Sequence, residues 1–178
     1  LYGDLVIIWT QQYDGGYNDS ANGIVIDNSG YVYVTGTIWR GGSPVYERIF
    51  TIKYDFDGNL IWTNEENIVD ADVGHDIAVD NAGSIYVSGM RDHYGSQDWL
   101  IIKYDSDGNI KWHQVFSETF LTAEGAFAIA VDNNSGFVYA TGEDRFPGKA
   151  PIIKYDFAGN SIWTQKYSDD AHRAGTGI

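Results

Sequence analysis

Apolar residues along this chain come in short runs separated by small turn clusters, and the order of runs and turns is regular. The run IAVD (77–80) meets Asn81-Ala82-Gly83 and leads into SIYVSG (84–89). A polar stretch, MRDHYGSQD (90–98), precedes WLIIKYD (99–105), and Ser106-Asp107-Gly108 then opens NIKWHQVF (109–116). Asp-Gly between two β-rich runs is a strong hairpin signal, because glycine takes a positive φ without a Cβ penalty. Each unit therefore predicts four strands, A to D, with tight A–B and C–D turns and longer B–C and D–A loops.

The same order returns along the whole chain. Trp9, Trp62, Trp112 and Trp163 lie 53, 50 and 51 residues apart, Lys-Tyr-Asp recurs at 53–55, 103–105 and 154–156, and Gly36, Gly89 and Gly142 are each 53 apart. These are tandem units, approximately 10–62, 63–112 and 113–163, followed by a partial unit 164–178. YVYVTG, FTIKYD and NLIWT are apolar or aromatic at both parities, so each small sheet is covered on both faces. Four-stranded units stacked face to face are the blades of a β-propeller. The expected fold is all-β: about three complete blades of four antiparallel strands plus an extra N-terminal strand, LVIIWTQQY (5–13), within one segment spanning 1–178.

TIKYDFDGNLIWT and DIAVDNAGSIYVSG also resemble the seven-bladed β-propeller repeat family of bacterial and archaeal proteins, many of them secreted or surface-attached. The resemblance covers essentially the whole chain. It implies a repeat module of mostly unassigned role, outside the cell or on its surface. Propellers close with about 4 to 8 blades, so three imply either a longer chain or self-association. Two copies would lack strands B and C at each seam, which favours the missing remainder of a longer chain. An isolated N-terminal D strand fits the usual ring-closing device, in which the last blade borrows a strand from the other end.

Composition narrows the partners. The 178 residues carry 11 basic and 25 acidic side chains, a net charge of −14, with 15% aromatics. That aromatic content excludes a disordered acidic tail. The acidity argues against nucleic acid and against anionic membranes, and no apolar run approaches the ~18 residues needed for membrane insertion. With no cysteine, disulfides and thiolate chemistry are excluded. The chain has neither an initial Met nor a signal-peptide pattern and reads as a mature or excised segment.

The recurring residues read as architecture. Trp9, Trp62, Trp112 and Trp163 are expected to be inter-blade wedges, since every blade needs packing whereas a glycan platform would appear once. The DFDGN and DSDGN turns resemble calcium loops superficially, but in the loop starting at Asp105 Phe116 stands where the bidentate Glu would be, and Ala158 replaces an Asp in the third copy. Asx turns account for the same residues. No cofactor is expected, with weak calcium binding on so acidic a surface left open. Asp27, Asp80 and Asp132 read as turn-forming carboxylates.

Residues that break the repeat carry the functional expectation. The variable segments 14–22, 37–48, 67–75, 90–98, 117–127 and 143–150 converge on one rim. There Trp39, Arg40 and Tyr46, then Arg91, His93 and Tyr94, then Arg145 and Phe146 set arginine beside aromatic side chains. Such pairs recognise a glycan or a protein by stacking and bidentate hydrogen bonds; the alternative is that each Arg pairs with neighbouring Asp and Glu. His75 and Asp76 are the nearest approach to an acid–base pair, without a nucleophile or metal set beside them, and no catalytic residue is assigned. The expected role is a non-catalytic scaffold or recognition module. One rival is a carbohydrate-active enzyme using Asp76 with Asp70 or Asp72, which requires two carboxylates at roughly 5–9.5 Å. The other is a structural repeat that assembles through its open blade ends.

Overall fold

The computed structural model of the chain describes residues 8–41, 46–66, 71–93, 95–117, 124–144 and 150–167. Twelve strands form three four-stranded antiparallel meanders in sequence order. Blade 1 comprises β1 (Ser20–Ile26), β2 (Val32–Arg40), β3 (Tyr46–Tyr54) and β4 (Leu60–Glu66). Blade 2 comprises β5 (Ala71–Val79), β6 (Ile85–His93), β7 (Ser96–Tyr104) and β8 (Ile110–Phe116). Blade 3 comprises β9 (Glu124–Asp132), β10 (Phe137–Asp144), β11 (Ala150–Asp156) and β12 (Ser161–Tyr167). The fold is all-β and built of propeller blades. No helix among the described residues is long and apolar enough to cross a membrane.

Both parities of the inner strands are used. In blade 2, Ile85, Val87, Leu100, Ile102 and Tyr104 pack against Tyr33 and Ile49 of blade 1. The alternate residues Tyr86, Trp99 and Ile101 pack against Ile129, Val138 and Ile153 of blade 3. The sheet is a layer between two cores, which explains its lack of apolar–polar alternation.

The seams repeat one set of contacts. Trp62 Nε1 and Lys53 Nζ both donate to Ser106 O, each at 3.1 Å. Trp112 Nε1 at 3.1 Å and Lys103 Nζ at 2.9 Å likewise meet at Phe157 O. In each case the indole lies on the turn glycine two residues further on: a Cβ on Gly108 would come within 3.0 Å of Trp62, and one on Gly159 within 2.9 Å of Trp112. Lys-Tyr-Asp thus has three assignments. The Lys crosses the seam, the Tyr enters the core, and the Asp caps its own turn, as when Asp105 Oδ1 accepts Asp107 N at 3.1 Å and Asn109 N at 2.9 Å.

Residues 8–15 depart from expectation in one respect. Trp9 Nε1 donates to Phe56 O at 3.2 Å and Gln11 Nε2 to Gly58 O at 2.9 Å, which are the contacts of a D strand with the next blade. The segment nevertheless pairs with no strand, because no C strand lies beside it among the described residues and a ladder needs a partner.

Candidate functional site

The strands run further into the variable rim than expected. Segments 37–48 and 90–98 were expected to be loops, yet the β2–β3 ladder continues to Arg40↔Tyr46 and the β6–β7 ladder to His93↔Ser96. Backbone pairing does not require apolar side chains at a wet edge, so a polar run can extend a strand. Trp39, Arg40, Tyr46, Arg91 and His93 therefore stand on rigid strand ends.

Arg40 is held on three sides. Its guanidinium donates to both oxygens of Glu65, with Nε at 3.1 Å from Oε2, and Nη1 donates to Gly15 O at 2.7 Å. Tyr13 donates to Glu65 Oε1 at 2.7 Å, and Arg48 lies 3.9 Å from Glu65. Burial pushes the Glu65 carboxyl up, but the Tyr13 and Arg40 hydrogen bonds outweigh it and hold it below its ordinary value. Trp39 beside this network is 40% exposed. Tyr46, opposite Arg40, is half-buried.

On blade 2, Arg91 donates from Nε and Nη2 to Asp98 Oδ2, both at 3.1 Å, and Asp98 is buried. His93 is exposed. Both described arginines of the candidate set thus spend their donors on neighbouring carboxylates.

His75 and Asp76 point elsewhere. The β5–β6 register shifts between Gly74 and Asp76, so His75 is the bulged residue. Its Nδ1 lies 3.0 Å from Ala126 O and its ring packs edge-on against Phe127, with centroids 4.9 Å apart. Asp76 Oδ2 accepts Ile129 N at 3.0 Å. Both tie β5 to β9 across the seam of blades 2 and 3, just as bulged Asn22 donates to Gly74 O at 2.7 Å across the seam before it. Asp72, the rival acid or base, is fully buried. Asp70, Tyr94, Arg145, Phe146 and the loop residue His172 lie outside the described residues.

Two acidic pairs on the same rim escaped the sequence reading. Burial, with Asp92 nearby, pushes the Glu47 carboxyl up, and burial, with Asp72 nearby, does the same for Glu66. For Glu66 the sequence signal is the acidic end of strand D, Asn64-Glu65-Glu66. No group of three or more carboxylates and imidazoles suited to a metal ion occurs among the described residues. A cleft of about 430 Å³ opens between residues 9–13 and the outer face of blade 1, lined by Trp9, Gln11, Tyr13, Val34, Phe50 and Ile52 among others. None of the candidate ligand-binding residues lines it.

Fold and seams define a protein of β-propeller repeats. Residues 8–41 match the family model SBBP, described as beta-propeller repeat, in agreement with the resemblance read from the motifs. The fold is similar to a crystal structure of the eukaryotic initiation factor, with TM-score 0.55 at 12% identity over 89% of this chain and 35% of that one. A subtype N11 neuraminidase-like protein of A/flat-faced bat/Peru/033/2010 (H18N11) is also similar, with TM-score 0.47 at 10% identity over 88% of this chain and 58% of that one. At such identities the likeness concerns fold alone, and the chain spans about a third of the initiation factor, as its 35% coverage states. No curated protein matches the sequence.

Proposed function

We propose that the chain is a non-catalytic recognition module whose rim of B–C and D–A connections binds a protein or a glycan outside the cell. The supporting observation is the state of the rim: Arg40 and Arg91 are engaged by Glu65 and Asp98, while Trp39 and His93 stay exposed at the ends of β2 and β6. Rigid supports carrying exposed aromatic rings suit recognition at low entropic cost. The non-catalytic reading is supported by Asp76, whose Oδ2 is engaged by a backbone N–H, and by the full burial of Asp72.

The test is capture on arrays of glycans and of surface proteins, comparing the chain with Trp39→Ala/His93→Ala. Both side chains are exposed, so the variant should stay folded with little change in melting temperature and lose capture at least tenfold. Undiminished capture by the folded variant would move the binding face elsewhere. Turnover of a captured glycan would contradict the non-catalytic reading.

A further inference from the structure

The outer faces of blades 1 and 3 carry complementary halves of the internal seam. At each internal seam the leading blade supplies a Trp and a Lys, and the trailing blade supplies a turn carbonyl that both meet, Ser106 O at one seam and Phe157 O at the next. Blade 3 ends with the same donors. Trp163 stands across from Lys154 in the ladder, as Trp62 does from Lys53 and Trp112 from Lys103. Lys154 Nζ sits 3.5 Å over the Phe137 ring, and Trp163 packs on Tyr139 with centroids 6.1 Å apart. Among the described residues neither donor has an acceptor, and Trp163 and Ile152 are 36% and 37% exposed.

At the other end, the blade 1 turn presents Phe56 O and Gly58 in the matching place. That seat is taken by the chain's own Trp9 and Gln11, and Phe56 O receives a Trp but no Lys. A Cβ on Gly58 would come within 2.7 Å of the Trp9 ring, so the contact is as close as those at the true seams. Two D strands cannot share one seat.

We propose that the outer face of blade 3 docks onto blade 1 of a second copy of this chain, and that residues 8–13 are the intramolecular competitor that keeps this site closed. The occupant follows from continuity: among the described residues each outer face lacks the half of the seam that the same chain shows on its other outer face. The geometry is head-to-tail and heterologous, so an opened site yields extended assemblies, and the N-terminal segment limits them. This inference is independent of the rim.

Sedimentation velocity over a concentration series tests it. The unaltered chain of 178 residues should sediment at its single-chain mass of 19.8 kDa. Trp9→Ala/Gln11→Ala should associate, with at least a doubling of weight-average mass as concentration rises. Adding Lys154→Ala/Trp163→Ala to that variant should restore the single-chain mass, and an excess of a peptide of residues 5–13 should dissolve the assemblies. If the alanine pair melts, Trp9→Phe/Gln11→Ala keeps an aromatic ring, loses both donors and carries the same expectations. Three results would overturn the proposal: a folded strap variant that stays single, association that survives loss of Lys154 and Trp163, or an unaltered chain that associates as strongly as the variant.

Discussion

At the scale of single residues, the recurring Trp acts through the glycine and carbonyl beneath it. Trp112 lies on Gly159, donates to Phe157 O at 3.1 Å, and packs toward Tyr155 with centroids 6.5 Å apart. Trp112→Ala should cost about 3–5 kcal/mol in urea denaturation, by analogy with other large aromatic truncations. Trp163→Ala has no turn above it among the described residues and should cost clearly less. Equal losses would mean that the indoles stabilise their own sheets instead of the seams. The wedge role was legible because it recurs once per unit. The partner amide was equally legible and went unread: Gln11 and Asn64 each follow their Trp by two residues and donate to Gly58 O and Gly108 O. The fate of His75 was not legible, since only the fold brings Ala126 and Phe127 beside it. Burial lowers the His75 pKa from 6.5, so the unfolded chain takes up the proton first and stability should fall as pH drops through that value. His75→Asn, which copies Asn22 one blade earlier, should keep the seam and flatten that part of the profile in melting curves between pH 7 and 5.

At the scale of strands, the bulges explain a second repeat. In each blade the bulge on strand A faces Gly36, Gly89 or Gly142 on strand B, and a Cβ there would lie 1.9 Å from Ser20 O, 2.1 Å from Val73 O or 1.9 Å from Gly125 O. The spacing of these glycines was visible at once, but its cause was not, because a bulge breaks the period that reveals a strand. Gly89→Ala should therefore destabilise the protein by about 1–3 kcal/mol or more, as overpacking does in cores. A neutral Gly89→Ala in the same urea series would contradict the observed approach. Strand ends were misread for a related reason: the Arg91–Asp92–His93 stretch looks like a loop by composition, while its backbone pairs as far as Ser96. Placing the candidate residues on strands is what separates engaged Arg40 and Arg91 from exposed Trp39 and His93.

At the scale of the molecule, a net charge of −14 acts on a stack of three blades with opposite pH signs in different places. The turn carboxylates Asp55, Asp105 and Asp156 are held below 3.8, chiefly by hydrogen bonds from Asn59, Asn109 and Asn160. Their contribution is present above that value and is lost as pH falls through their lowered pKa values. Glu47 and Glu66 are raised above 4.5, so they cost stability once pH exceeds that value. Glu47→Gln/Glu66→Gln should raise the melting temperature at pH 7 and change nothing well below pH 4.5. A lower melting temperature at pH 7 would show that these carboxylates have partners that favour their charged form. The stacking itself is the central claim, and among the described residues only blade 2 lies between two other blades: Ile85, Tyr86, Val87, Trp99, Leu100, Ile102 and Tyr104 are all 0% exposed. Residue-resolved amide hydrogen exchange tests this most directly. β6 and β7 should be the slowest-exchanging segments, with β2–β3 and β10–β11 distinctly faster. Equal protection in the three blades, or a middle blade that exchanges first, would contradict a face-to-face stack.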